Sequence, residues 1–182
     1  MSSQRVALEI TQLVAEHHAA VYRYAYRLTG SACDAEDLAQ QTFLIAHQKL
    51  GQLRAIESSR SWLFAMVRNL FLKGQRRKRM LSPEDLEIGL DSLPADVPGD
   101  DSIDREKLQQ ALNALAPEQR LVLVMFYFQD CSYREIAAEL QLPPGTVMSR
   151  LSRAKAQLRK ALLPSAAPQT YSVLSAPSNG SV

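Results

Sequence analysis

The sequence has 182 residues, 46% of them hydrophobic and 22% charged, an ordinary balance for a folded protein. No run approaches the roughly 20 apolar residues that a membrane-spanning helix needs, and residues 1–10 lack the apolar core of a signal peptide. The two cysteines lie about a hundred positions apart, in no metal-binding or redox spacing, which predicts a reduced, cytoplasmic protein.

The net charge of +2 is the sum of three segments of unlike character. Residues 54–79 carry eight bases and one acid, residues 82–104 carry eight acids and no base, and residues 146–163 carry five bases and no acid. Such separation indicates a polyanionic partner better than the total charge does.

Three helices are predicted in the first half of the chain. Apolar side chains recur at helical spacing over residues 11–28, and Gly30 ends this helix. Ser31 followed by Asp34 resembles a capping pattern for a second helix that runs to about Leu50. A third helix runs from Arg60 to about Arg79. The predicted core positions are Leu13, Val14, His17, Val21, Tyr24, Ala25 and Leu28; Ala35, Leu38, Ala39, Thr42, Ala46 and Leu50; and Leu63, Phe64, Val67, Leu70 and Phe71.

Residues 82–102 combine prolines and acids with few apolar residues, so they cannot bury enough surface to offset the entropy of ordering. They are predicted to form a flexible acidic linker between two small helical domains, residues 11–81 and 103–163. The uncharged, Ser-, Pro- and Ala-rich residues 164–182 are predicted to be a disordered tail. The predicted fold class is therefore all-α.

The C-terminal domain carries the strongest local motif. A short helix over residues 132–140, a Pro- and Gly-containing turn and a second helix from residue 146 form a helix-turn-helix pattern, which is typical of DNA binding. Val147, Leu151, Ala154 and Leu158 form a stripe that is predicted to pack on the preceding helix. The opposite face and flanks of this helix would meet a major groove and its phosphates. The candidate DNA-contacting residues there are Thr146, Ser149, Arg150, Ser152, Arg153 and Lys155.

Two alternatives stay open for this helix. Its bases could merely keep a surface helix soluble, although an acid-free helix directly after such a turn is an unusual device for that purpose. Arg153 could read guanine through a bidentate contact or grip a phosphate.

No catalytic or metal site is predicted. His17, His18 and His47 do not have metal-ligand spacing, and His17 is interpreted as a core residue with a satisfied hydrogen bond. Cys131 is interpreted as inert packing rather than as a redox sensor. Without a phosphate-binding loop or paired carboxylates, neither enzyme activity nor a cofactor is expected.

Two sets of motifs carry a resemblance to a known family. Residues 34–47 and 61–70, with the arginines that follow, resemble region 2 of an extracytoplasmic-function (ECF) sigma factor of RNA polymerase. Residues 115–127, 132–138 and 145–151 resemble region 4 of the same family. The likeness covers about residues 14–163, with both motif sets in the right order.

The resemblance implies that the chain binds core RNA polymerase at the clamp of its largest subunit and at the flap, and that the second helix makes the clamp contact. The side chains facing the clamp would be Asp34, Asp37, Gln40, Gln41 and Leu44. Without the resemblance, the same face would be interpreted as a solvated surface with capping acids.

The resemblance also implies that the third helix opens the promoter −10 element. Unstacked bases would lie against Arg60, Trp62 and the preceding loop, although Trp62 could instead belong to the core. Contacts to the DNA backbone would come from Arg68, Asn69, Lys73, Arg76 and Arg77. The region 4 helix would read the −35 element, where Met148 departs from the lysine usual in the family.

The function that follows is a specificity subunit directing transcription initiation, with promoter DNA and core polymerase as partners, an anti-sigma protein as an expected inhibitor, and no small-molecule substrate. The rival is a stand-alone helix-turn-helix regulator with a dimerising or ligand-binding N-terminal domain. The rival predicts tight duplex binding by the chain alone, whereas the sigma interpretation predicts weak binding that rises with core polymerase.

Overall fold

A computed structural model describes the backbone of residues 2–53, 55, 58–80 and 102–162, and side chains from residue 10 onward except at residues 102–104 within those ranges. The predicted linker lies almost wholly outside the described residues, and so does the predicted tail. All secondary structure in the described ranges is helical, which confirms the all-α fold class.

The N-terminal group has three α-helices: α1 (Ser2–Thr29), α2 (Ala32–Lys49) and α3 (Ser59–Met80), with a short 3-10 turn (Leu50–Gln52) after α2. The first helix starts earlier than the predicted residue 11. As expected, Ser31 caps α2 by accepting a hydrogen bond from the amide of Asp34, at 3.3 Å.

Small residues let α2 lie close to its neighbours. Ala35, Ala39 and Ala46 are fully buried, and Thr42 satisfies its buried hydroxyl by donating to the carbonyl of Leu38, at 2.7 Å. Phe43 is also buried although it was not predicted to be. Its position continues the stripe of Ala35 and Ala39, so helical periodicity alone would have identified it.

The C-terminal group has four helices: α4 (Ser102–Asn113), α5 (Pro117–Phe128), α6 (Tyr133–Leu140) and α7 (Pro144–Leu162). The apolar run in α5 supplies much of its core, since residues 121–125 are all buried. The two groups pack against each other, and their buried side chains form one continuous hydrophobic cluster.

Candidate functional site

One exposed face of α2 gathers the five residues predicted to meet core polymerase. Because the alanines of α2 point inward, the opposite stripe is left in solvent. Leu44 differs from the other four because its side chain is large and apolar and yet 64% exposed. Asp34 lies 3.9 Å from the ammonium of Lys78 in α3, an exposed ion pair that contributes little to stability. The face comprises Asp34, Asp37, Gln40, Gln41 and Leu44.

The third helix presents most of its predicted DNA-contacting side chains to solvent. Asn69, Lys73, Arg76 and Arg77 are exposed. Arg60 is exposed as well, with its guanidinium 5.2 Å from the ring centre of Phe64. These groups extend over more than four turns of α3, a length suited to following a nucleic-acid backbone.

Trp62 occupies an intermediate position. It is half-buried and packs against the hydrophobic cluster, so part of its ring belongs to the core and part faces solvent. Both interpretations of its role, packing and base stacking, are compatible with this placement.

Arg68 differs from its neighbours on α3. Its side chain is buried and donates a hydrogen bond to the carboxylate of Glu139, in α6 of the C-terminal group. In this arrangement Arg68 is therefore not available to the DNA backbone. The sequence could not reveal this pairing because 71 positions separate the two residues.

The helix-turn-helix is built by local chemistry. Ser132 and Glu135 form a reciprocal capping box at the start of α6, and Gln141 ends that helix in a left-handed conformation, with φ of 53°. Hydrogen bonding to the backbone amide of Ser132 lowers the pKa of Glu135.

The recognition helix α7 starts at Pro144, two residues before the predicted start. Proline is favoured in a first helical turn because the amide it lacks has no partner there.

The packing of α7 on α6 matches the predicted stripe. Val147, Leu151 and Ala154 are buried, as are Ile136 and Ala137 in α6, and Leu158 is half-buried. The other face of α7 is therefore held outward by a rigid core.

The outward face of α7 carries three of the predicted −35 residues as exposed side chains: Ser149, Ser152 and Arg153. Ser149 donates its hydroxyl to the carbonyl of Thr146, at 3.0 Å. Thr146 and Arg150 are half-buried at the edges of this face.

Lys155 lies on the side of α7 that faces α5. Its ammonium is 4.9 Å from the ring centre of Phe126 and 5.5 Å from that of Tyr127. Tyr133 stacks on Phe126 with ring centres 5.3 Å apart. This aromatic patch, with Tyr127 53% exposed, was missed from the sequence because the rings come from two helices.

The histidine and cysteine positions agree with their predicted structural roles. His17 is half-buried and shares a hydrogen bond with the buried hydroxyl of Ser59, at 2.8 Å. Burial raises the pKa of the half-buried Cys131 thiol, which favours its unreactive protonated form. Among the described residues, no three His, Cys, Asp or Glu side chains are grouped so as to hold a metal. Nor is any described helix both long and apolar enough to cross a membrane.

Comparison with known proteins identifies the family. The model of Sigma-70 region 2 matches residues 13–80, which include all but the start of the N-terminal group. The model of Sigma-70 region 4 matches residues 105–158, which include the helix-turn-helix. The chain is 36% identical over 154 residues to the ECF RNA polymerase sigma factor SigL of Mycobacterium tuberculosis, spanning 85% of that protein. It belongs to the ECF sigma factors.

Other relatives agree with this assignment and with the resemblance noted in the sequence. The ECF sigma factor SigE of Mycolicibacterium smegmatis is 38% identical over 153 residues, and the chain spans 59% of its length. Among solved structures, the sigma factor RpoE of Bartonella quintana, in complex with the anti-sigma factor NepR, superposes with a TM-score of 0.67 at 30% identity. That match covers 85% of this sigma factor and 96% of RpoE. CnrH, in complex with the cytosolic domain of CnrY, superposes with a TM-score of 0.54 at 26% identity, covering 88% and 90% of the two chains.

Proposed function

We propose that this chain is a dissociable specificity subunit of bacterial RNA polymerase, which binds the core enzyme and directs initiation at promoters with −10 and −35 elements. The observation that carries the proposal is the combination of a region 2 bundle and a region 4 helix-turn-helix in one chain, each with an exposed polar or basic face. In this role the chain acts in the cytoplasm and contributes specificity, while the core enzyme performs the chemistry. The proposed parts of the chain are region 2 (residues 11–81), an acidic linker (82–102), region 4 (103–163) and a C-terminal tail (164–182).

Core polymerase is proposed to bind the exposed face of α2 at the clamp of its largest subunit. An exposed leucine surrounded by Asp and Gln side chains offers an apolar anchor with a polar rim, the usual anatomy of a protein interface. Leu44 is this anchor. Lys49 at the end of α2 is exposed on another side of the helix and provides a control position.

The −10 element is proposed to lie along α3. Trp62 is partly exposed and can stack a base, and Arg60 lies two residues before it. Asn69, Lys73, Arg76 and Arg77 are exposed donors for phosphates. Arg68 is proposed to join them only after its pairing with Glu139 is broken.

The −35 element is proposed to meet the outward face of α7 in its major groove. Ser149, Ser152 and Arg153 point away from the core, so a groove can reach them without rearrangement of the helix-turn-helix. Thr146, Arg150 and Lys155 flank this face and suit the phosphate strands.

An anti-sigma protein is a proposed further partner. RpoE, which superposes on most of this chain, was solved in complex with the anti-sigma factor NepR. Masking of the faces of α2 and α7 by such a protein would block both proposed activities.

In-vitro transcription with bacterial core polymerase on genomic fragments tests the proposal. We expect new start sites with shared −35 and −10 elements that depend on this chain. Leu44→Ala should weaken core binding about tenfold, since an apolar anchor is removed, and Lys49→Ala should leave it unchanged. Tight, specific duplex binding by the chain alone, without any new transcript, would instead establish the stand-alone regulator.

A further inference from the structure

Met148 is a large apolar side chain of the recognition helix that the packing of the molecule does not use. It lies four residues after Pro144, where α7 begins, and is 55% exposed. Val147 just before it and Leu151 one turn later are buried in the hydrophobic cluster. An apolar side chain that contributes this little to the core is free to contact a partner.

The surface around Met148 lies low. The neighbours of a residue on a helix surface are three and four positions away. For Met148 the exposed neighbours of this kind are Pro144, Gly145 and Ser152, none of which has a long side chain. A Cβ atom added at Gly145 would meet no other atom of the described residues within 4 Å. The thioether therefore projects beyond its surroundings at the edge of the outward face of α7.

The charges of α7 indicate what kind of partner covers this side chain. Residues 146–163 carry five bases and no acid, and Arg153 is exposed one turn beyond Ser149. A partner that covers Met148 also meets these cations, so it has to be an anion with an apolar group on its surface. Leu44 on α2 is a contrasting case, since Asp and Gln side chains surround it and suit a protein partner.

The major groove of DNA offers one apolar group to such a side chain. The edges of guanine, cytosine and adenine present hydrogen-bonding groups there, whereas thymine also presents its C5 methyl group. Helix-turn-helix proteins place the N-terminal residues of the recognition helix against these edges. Met148 lies in that part of α7, and its unbranched, flexible side chain can adjust its reach to a methyl group.

We propose that Met148 contacts the C5 methyl group of a thymine in the −35 element and makes the chain prefer thymine at that position. The inference rests on the proposed sigma function and adds a base-reading residue to it. Because the side chain is uncharged, its removal changes base preference and leaves the salt dependence of binding unaltered. This combination distinguishes Met148 from the basic residues around it.

Replacement of thymine by deoxyuracil tests the contact at the level of one methyl group, since deoxyuracil keeps every hydrogen-bonding group of thymine. A duplex is first selected from a randomised pool by the full chain, once with and once without core polymerase. Every thymine of both strands is then replaced singly, and binding is measured by titration. For the wild type we expect one replacement to weaken binding about fourfold, the effect of losing one methyl group from an apolar contact.

Three variants show whether this effect passes through Met148. Met148→Ala should bind the thymine duplex about fourfold more weakly than the wild type and lose nothing further on replacement by deoxyuracil. Met148→Leu keeps an apolar contact and should retain the preference for thymine. The matched control is Leu162→Ala, which removes a 41% exposed side chain from the last turn of α7 and should respond as the wild type does.

Each result decides the proposal. An equal response of the wild type and Met148→Ala to every replacement would overturn it, and so would a Met148→Leu variant that has lost the preference. Weaker binding of core polymerase by Met148→Ala, with an unchanged preference for thymine, would overturn it in favour of a protein contact.

Transcription from the selected sequence keeps the proposed function and the contact of Met148 apart. A methyl effect without transcription would reject the sigma function and leave Met148 as a base reader of a DNA-binding protein. Transcription without a methyl effect would reject the role of Met148 alone. A chain that selects no duplex in either form would overturn both.

Discussion

The two helices that carry the candidate DNA contacts, α3 and α7, differ in how far their basic side chains are engaged within the molecule. On α3, Arg68 and Arg79 pair with acids of the C-terminal group. On α7, Ser149, Ser152 and Arg153 are exposed, with Ser149 bonded only to its own helix. Ser149, Ser152 and Arg153 of the proposed −35 surface are therefore accessible to DNA in this arrangement, whereas the proposed −10 surface is partly occupied.

The largest expected effect concerns the buried stripe of α7, which holds the opposite, exposed face of the helix outward. Leu151→Ala removes a side chain that is 1% exposed, and we expect it to lower the free energy of unfolding by about 2–5 kcal/mol, because it leaves a cavity in the hydrophobic cluster that holds α7. Met148→Ala on the same helix removes a 55% exposed side chain and should cost less than about 0.5 kcal/mol. Denaturant unfolding measures both. Equal costs would mean that α7 is not held by this stripe.

A smaller effect is expected for the free surface of α7. Arg153→Ala should weaken binding of a −35 duplex by the polymerase complex by about 1–3 kcal/mol, measured by titration at several salt concentrations. Relaxed preference at one base pair would identify Arg153 as a base reader. A uniform loss with a salt slope lower by about 1 would identify a phosphate contact. Lys160→Ala, also exposed but two turns further along, is the control.

Removing an acid that pairs with α3 should strengthen DNA binding, in contrast to the loss expected for Arg153→Ala. Glu139→Gln removes the acid paired with Arg68, so we expect the free chain to bind a −10 single strand about two- to fivefold more tightly at low salt. The effect is modest because the Glu139 side chain is half exposed and its pairing is screened by solvent. Glu106→Gln on α4 should have no effect. If affinity fell for Glu139→Gln, Glu139 would be supporting DNA binding rather than competing with it.

The smallest effect is the pH dependence of the cap of α6. Hydrogen bonding to Ser132 holds the pKa of Glu135 below its ordinary value of 4.5. A lowered carboxyl pKa contributes stability that is present above the unfolded pKa and is lost as the pH falls through the folded one. Glu135→Gln should therefore flatten the loss of thermal stability below about pH 4.5. An unchanged profile would show that the carboxylate is not ionised in the capping box.

Local features of the chain were predictable because their causes are local. The capping pair Ser31 and Asp34, the buried stripe of α7 and the exposed face of α2 all follow from spacing within one helix. Start positions were less accurate, since Pro144 precedes the predicted start of α7 and α1 begins near the N-terminus. Helix ends depend on a few residues whose competing conformations differ little in energy.

By itself, the sequence determined the helices, the helix-turn-helix and the family, because periodicity, capping and motif order are properties of neighbouring residues. The tertiary structure alone decided the partners of Arg68, Arg79 and Arg120. Arg68 contacts Glu139, Arg79 contacts Glu118, and Arg120 contacts the carbonyl of Leu28. These partners lie 39 to 92 positions away and meet the arginines only through the packing of the two helical groups. A basic residue in a sequence carries the same charge whether it will face a phosphate, a carboxylate or a helix end, and only the folded arrangement selects among these partners.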